Sequence, residues 1–119
     1  MTVYVKEGAN TVLAGLTNMK AAMIEDYVGF MPPKDEVRKK MCEEYENNFT
    51  ITYGKKYIKI TEKGGGVKAF VVGVDNDKKF KKGDILMAAG YNAPARNKAR
   101  GNILRGGYPI DWTGACYLK

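Results

Sequence analysis

At Phe49 the spacing of apolar residues changes from three-and-four to two, and this switch constrains the fold more than any other feature of the chain. Before it, Val12 or Leu13, then Leu16, Met19, Met23 and Tyr27 recur at helical intervals and form one apolar stripe. Asn10 or Thr11 is placed to cap this helix, and Gly29 with Pro32 and Pro33 to stop it. A second helix restarts at Pro33. Asp35 and Glu36 sit at the positive end of its dipole, and Val37, Met41 and Tyr45, spaced by four, are expected to face inward together. The neighbouring Glu43 and Glu44 point to different sides and read as a solvated face, not a general acid/base pair.

After Phe49 the segments "FTITY", "KYIKI", "VKAFVVGVD" and "KFKKGDILMAAG" read as short strands. They are parted by Gly54, by the glycine triplet 64–66 and by "DNDKK" at 75–79. "TVYV" near the start adds one more short strand. Regular short strands predict a compact antiparallel meander curled into a barrel. Gly73 is expected to supply the bend or bulge that closure requires, and the triplet a flexible hairpin tip. The fold class is therefore α+β. A helical N-terminal part over 1–48 precedes a small, strongly bent antiparallel β-barrel over 49–119, in one domain. With 119 residues, 45% hydrophobic and 28% charged, the chain can bury a core without disulfides or metal.

Absences narrow the chemistry. There is no histidine and no serine, so the commonest general base, the commonest metal ligand and a serine nucleophile are all missing. Cys42 and Cys116 are far apart and cannot form a structural zinc site; they read as inert thiols in a reducing compartment, with a disulfide between them left open. No phosphate-cradling glycine motif opens a helix, and Asp75-Asn76-Asp77 lacks the remaining ligands of a calcium loop. The N-terminus lacks a basic n-region and no apolar run reaches membrane-spanning length, so a soluble, cytosol-type chain is expected. No cofactor, metal or membrane partner is expected, and no enzymatic activity. An enzyme would need a concave pocket holding a perturbed Lys or Asp.

Charge gives the positive clue. Net charge is +7, and it is uneven: residues 78–119 carry nine Lys/Arg against two Asp/Glu, whereas residues 1–49 carry six against eight. Such asymmetry points to a polyanion or an acidic partner. Within "GYNAPARNKARGNILRGGY" (90–108), Arg96, Lys98, Arg100 and Arg105 sit among Asn92, Asn97 and Asn102 with no intervening acid. A strand would put Arg96, Lys98 and Arg100 on one face. A short helix, favoured by Ala93, Ala95 and Ala99, would be capped by Asn92, carry Pro94 in its first turn and end at Gly101. Either way the cations are expected to converge on phosphates, with Lys79, Lys81 and Lys82 extending the field. Tyr91 and Tyr108 are the stacking candidates, with Trp112 a further ring, if their faces are exposed.

The pieces "GDILMAA" (83–89), "APA" (93–95) and "ARGNI" (99–103), within residues 54–118, resemble a group of small, uncharacterised proteins of tailed phages, notably those of marine cyanobacteria. Where that group has an aromatic and a lysine before "APA", this chain has Tyr91 and Asn92. The resemblance implies viral origin and a place in the bacterial host cytoplasm or the virion, and carries no activity with it. A leading helix and a bent five-strand meander also look like the Sm-like barrel, whose members assemble into rings through edge strands and bind single-stranded RNA. The expectation is a non-catalytic module that binds single-stranded nucleic acid and forms a homo-oligomer. The alternative is a structural or protein-interaction module, a virion component or host-protein adaptor, that self-associates through barrel edges.

Overall fold

The computed structural model describes residues 3–63 and 66–115. In chain order these form β1 (Val3–Val5), α1 (Val12–Phe30), α2 (Glu36–Asn47), β2 (Phe49–Tyr53), β3 (Tyr57–Glu62), β4 (Gly66–Val72), β5 (Ile85–Leu86), β6 (Ala88–Gly90), β7 (Ala93–Pro94), β8 (Tyr108–Asp111) and β9 (Gly114–Ala115). The chain is α+β, and its helices give way to strands at Phe49, where the apolar period changes.

Thr11 caps α1, its hydroxyl accepting from the Ala14 N–H at 3.1 Å. The stripe Leu16, Met19, Met23 and Tyr27 is buried, and each such side chain contributes roughly 1.5–3 kcal/mol by leaving water. Asp35 caps α2 in the same way, accepting from Arg38 N–H at 2.8 Å. Of the three residues expected to face inward from α2, only Tyr45 does. Val37 is 70% exposed and Met41 37%. Spacing fixes which residues share a helix face, but not how much of that face is covered. α2 is held through its last turns, where the Tyr45 ring stacks on Tyr27 at 4.2 Å and its hydroxyl donates to the Trp112 carbonyl at 2.7 Å.

The four-stranded antiparallel sheet runs β2-β3-β4-β5. Its register pairs Ile51 with Ile60, Ile60 with Ala69, and Val71 with both Ile58 and Ile85. These side chains share one face with the α1 stripe and make the main core. The other face carries Lys59, opposite Phe70, which in turn lies opposite Leu86. There Phe70, Val72, Phe80 and Leu86 form a second apolar cluster, with Tyr57 and Val67 at its margin. β4 is thus buried on both sides, which is why its run Ala69-Phe70-Val71-Val72 is apolar without alternation.

A three-stranded sheet, β1-β8-β9, sends Val5, Tyr108 and Ile110 into the main core. It meets β4 at Gly114, where φ is +115° and an added Cβ would fall 2.0 Å from the Lys68 carbonyl oxygen; only glycine permits that approach. β6 and β7 make a separate two-stranded hairpin. The described residues therefore form no closed barrel. After two residues of β5 the chain turns into this short hairpin, so none of the described strands returns to the free side of β2. The irregularity expected at Gly73 also lies elsewhere: the register shifts between Ile60 and Thr61, and Gly73 follows β4, donating to the Lys56 carbonyl at 2.9 Å. Cys42 donates its thiol to the Met31 carbonyl at 3.2 Å. Gly64 and Gly65 of the expected hairpin tip, and Cys116, lie outside the described residues.

Candidate functional site

The basic segment is neither the expected helix nor a regular strand beyond Ala93–Pro94. It folds back along residues 84–90. Ala95 N–H donates to Met87 O at 2.7 Å, Arg100 N–H to Ile85 O at 2.7 Å, and Ile85 N–H to Gly101 O at 2.8 Å. Tyr91 and Asn92 form the tip of this irregular hairpin. Helix propensity, worth at most about 0.7 kcal/mol for an ordinary residue, gives way to these long-range bonds.

Arg96 is held by Asp77. Its guanidinium forms two parallel bonds to that carboxylate, Nη1 to Oδ2 at 3.0 Å and Nη2 to Oδ1 at 3.1 Å. Nη1 also donates to the Tyr57 hydroxyl, and the guanidinium carbon lies 5.0 Å from the Phe80 ring centroid. Asp77 is anchored by the backbone N–H groups of Lys79 at 2.8 Å and Phe80 at 2.9 Å, and by the Lys56 ammonium at 2.9 Å. The Arg96 bonds first, then Lys56 and the two backbone donors, hold the Asp77 carboxyl far below the usual carboxylate range. In turn Asp77, and then Tyr57, raise the Arg96 pKa. Lys79 donates its ammonium to the Arg96 carbonyl, so Lys56, Lys79 and Arg96 gather around one acid. Arg96 thus ties the hairpin to the 75–80 turn and to β3, its guanidinium committed to an acid that it shares with Lys56.

The other expected cations do not form one strip. Arg100 donates to the Asn97 side chain at 3.1 Å, to the Lys98 carbonyl at 2.6 Å and to the Met87 sulfur at 3.8 Å, bracing the loop it belongs to. Asn102, expected beside a phosphate, is buried and structural. Its amide donates to Lys82 O and Asp84 Oδ1, and its oxygen accepts from the Leu104 and Arg105 N–H groups. Lys98, Arg105 and Lys81 are exposed and Lys82 is half-buried. The backbone at Arg105 packs against Gly8, at the far end of the segment.

The aromatic candidates separate too. Tyr91 is 64% exposed, whereas Tyr108 is 1% exposed and presents no stacking face to a ligand. Tyr108 alternates with Ile110 on the core side of β8, and that period-two pattern is the physical reason for its burial. Trp112 lies on the helix side of the molecule among Tyr27, Phe30 and Tyr45.

What does come together is a groove beside the β2–β3 turn. It measures about 260 Å³ and is lined by Thr52, Gly54, Lys55, Lys56, Tyr57, Lys59, Phe70 and Asn92. Tyr57 and Phe70 give it an aromatic floor, with three lysines along the rim and no acid among the described residues of its lining. The hairpin tip closes one end. There Lys59 Nζ sits 4.0 Å from the Tyr91 ring centroid and donates to Asn92 Oδ1 at 3.1 Å and to the Tyr91 carbonyl at 3.3 Å. Both acceptors are neutral, so Lys59 has no acid against it here, whereas Arg96 is paired with Asp77. Lys55, Lys56 and Lys59 were not among the expected site residues. For Tyr57 and Lys59 the signal was present, since they alternate by two on β3 and so share a strand face; Lys55 lies in the turn before that strand, where alternation says nothing.

A larger cavity of about 440 Å³ lies on the helix side, between Met41, Tyr45, Trp112 and the Glu62–Lys68 pair. Lys68 is buried with its ammonium 3.3 Å from Glu62 Oε1 and 5.7 Å from the ring centroids of both Tyr45 and Trp112. Its two lysines are matched by Glu44 and Glu62, so it offers no net attraction to an anion. Among the described residues no helix is long and apolar enough to cross a membrane, and no group of three His, Cys, Asp or Glu is placed to hold a metal ion. Compared with protein-family models, curated proteins and solved structures, the chain matches none.

Proposed function

We propose that this chain is a non-catalytic binding module that holds single-stranded nucleic acid in the groove beside the β2–β3 turn. The observation that carries this reading is the placement of Lys55 and Lys59 along an aromatic-floored groove with exposed Tyr91 at its end. The lysines take phosphates, with Lys56 shared between the groove and Asp77. Tyr91 offers a ring on which a base stacks, and its aromatic face is already electron-rich enough to attract the Lys59 ammonium. Lys79, just behind Arg96, adds to the positive field without entering the groove. No part of this reading requires a closed barrel.

The test is anisotropy of a labelled single-stranded oligonucleotide, DNA and RNA in turn, titrated with the protein at several salt concentrations. Trp112 is a poor reporter because it sits with the helices. Three lysines on phosphates give a slope of log affinity against log salt of about −2. Absence of binding to both polymers at low salt would overturn the reading.

A further inference from the structure

Among the described residues β2 is an open edge of the four-stranded sheet. The opposite edge is covered, since β5 takes backbone bonds from residues 100–101. On β2 the bonds from Gly54 N–H to Tyr57 O at 2.9 Å and from Lys63 N–H to Asn48 O at 3.0 Å set the phase of the ladder. Thr50 and Thr52 therefore turn their backbone groups toward β3, and Phe49, Ile51 and Tyr53 turn theirs outward. Natural edges are blunted by charge, proline or a bulge. β2 has none of these; the register shift lies between β3 and β4, where Lys68 is skipped. Tyr53 is left 61% exposed.

The sequence of this edge is a chemical palindrome: aromatic, Thr, Ile, Thr, aromatic. We infer that β2 pairs antiparallel with β2 of a second copy of this chain, about a two-fold axis at Ile51. In that register Ile51 meets itself, Thr50 meets Thr52 and Phe49 meets Tyr53. All three are favourable cross-strand pairs, and the exposed Tyr53 ring gains a neighbour. Charge supports a second copy over a foreign strand. α2 ends at Asn47 with Glu43, Glu44 and Glu46 in its last turns and no basic residue there, an unfavourable arrangement at the negative end of a helix dipole. The two-fold brings the Lys55 and Lys56 turn of the second copy to that end. The result is one eight-stranded antiparallel sheet. It stands independently of what the groove binds, and it sets both grooves on the same face, with the two Lys59 strands roughly 14 Å apart across the sheet.

Sedimentation equilibrium of the full chain tests this without any nucleic acid. The wild type is expected to be a dimer. Thr50→Lys/Thr52→Lys and Thr50→Glu/Thr52→Glu each place like charges opposite one another and should weaken the dimer about tenfold or more. An equimolar mixture of the two variants should dimerise again, which a folding defect could not produce. A wild type that stays monomeric overturns the inference. So do variants that dimerise as tightly as the wild type, or folded variants whose mixture stays monomeric. Should either variant fail to fold, hydrogen exchange of the wild type decides. The Phe49, Ile51 and Tyr53 amides should gain protection with rising protein concentration, and concentration-independent exchange overturns the pairing.

Discussion

One face of the four-stranded sheet lies under α1 and the tail of α2; the other lies under the 75–80 turn and the irregular hairpin of residues 84–102. Both are apolar at the centre, with Ile58, Ile60 and Val71 on the first and Phe70, Val72 and Leu86 on the second. They differ at their margins. On the helix side the lysine that reaches inward, Lys68, meets Glu62 and is buried. On the hairpin side Lys59 meets neutral oxygens and an aromatic ring, with no acid among these contacts. A helix covers a sheet continuously, whereas a turn and a hairpin leave a gap between them, and the groove is that gap.

At its centre the hairpin side buries Phe70, Val72, Phe80 and Leu86 as fully as the helix side buries its own residues. Phe70→Ala tests this with the largest expected effect, a loss of about 3–5 kcal/mol in urea unfolding, comparable to the roughly 2–5 kcal/mol expected for Ile60→Ala on the other face. A near-neutral Phe70→Ala would mean that the second cluster is a loose cover.

The next effect comes from the clamp that fastens that cover. Asp77→Asn should destabilise the protein at neutral pH, since it removes the acceptor shared by Arg96 and Lys56. The folded carboxyl titrates below its unfolded value of 3.8, so its contribution is fully present above that value and is lost as pH falls through the lower folded one. The stability gap between wild type and Asp77→Asn, followed by urea titration, should be constant from neutral pH down to about 5 and close in stronger acid. A gap that persists in strong acid would mean the side chain's shape matters more than its charge.

The smallest effect belongs to the helix side. Among the described residues the buried Tyr108 hydroxyl has no hydrogen-bond partner, and burial pushes its pKa up. Tyr108→Phe should therefore hold or raise stability by about 1 kcal/mol, because it removes a desolvated hydroxyl that returns nothing. A clear loss would show that the hydroxyl does have a partner.

How much of this was legible in the sequence follows the same division. The α1 stripe and the strands β2 to β4 follow local periodicity, and the Thr11 cap and the alternation of "FTITY" declare them directly, whereas α2, expected to restart at Pro33, begins at Glu36 with Asp35 as the cap outside it. The coverage of α2 depends on what lies opposite, which periodicity does not encode; hence the exposed Val37. The site was misplaced for a related reason. Residues 90–108 contain no acid, so their cations looked free, but folding brings Asp77 to Arg96 from 19 positions upstream. Lys59 stands in an ordinary strand pattern and Lys55 in the turn before it, and only the fold brings the hairpin tip beside them. Tyr108 was readable, since its alternation with Ile110 already assigned it to the core.

Under the proposed function the groove lysines, and not the exposed cations of the 90–108 segment, hold nucleic acid. The direct measurement compares Lys55→Ala/Lys59→Ala with Lys98→Ala/Arg105→Ala in oligonucleotide binding across a salt series. Each pair removes two exposed or partly exposed positive charges, so the two proteins share one net charge. The groove variant should lose affinity about tenfold or more and flatten the salt slope by about 1.4, two phosphate contacts at 0.7 each, while the segment variant keeps the wild-type slope. The opposite ranking, with the slope lost at Lys98 and Arg105 and kept at Lys55 and Lys59, would contradict the claim.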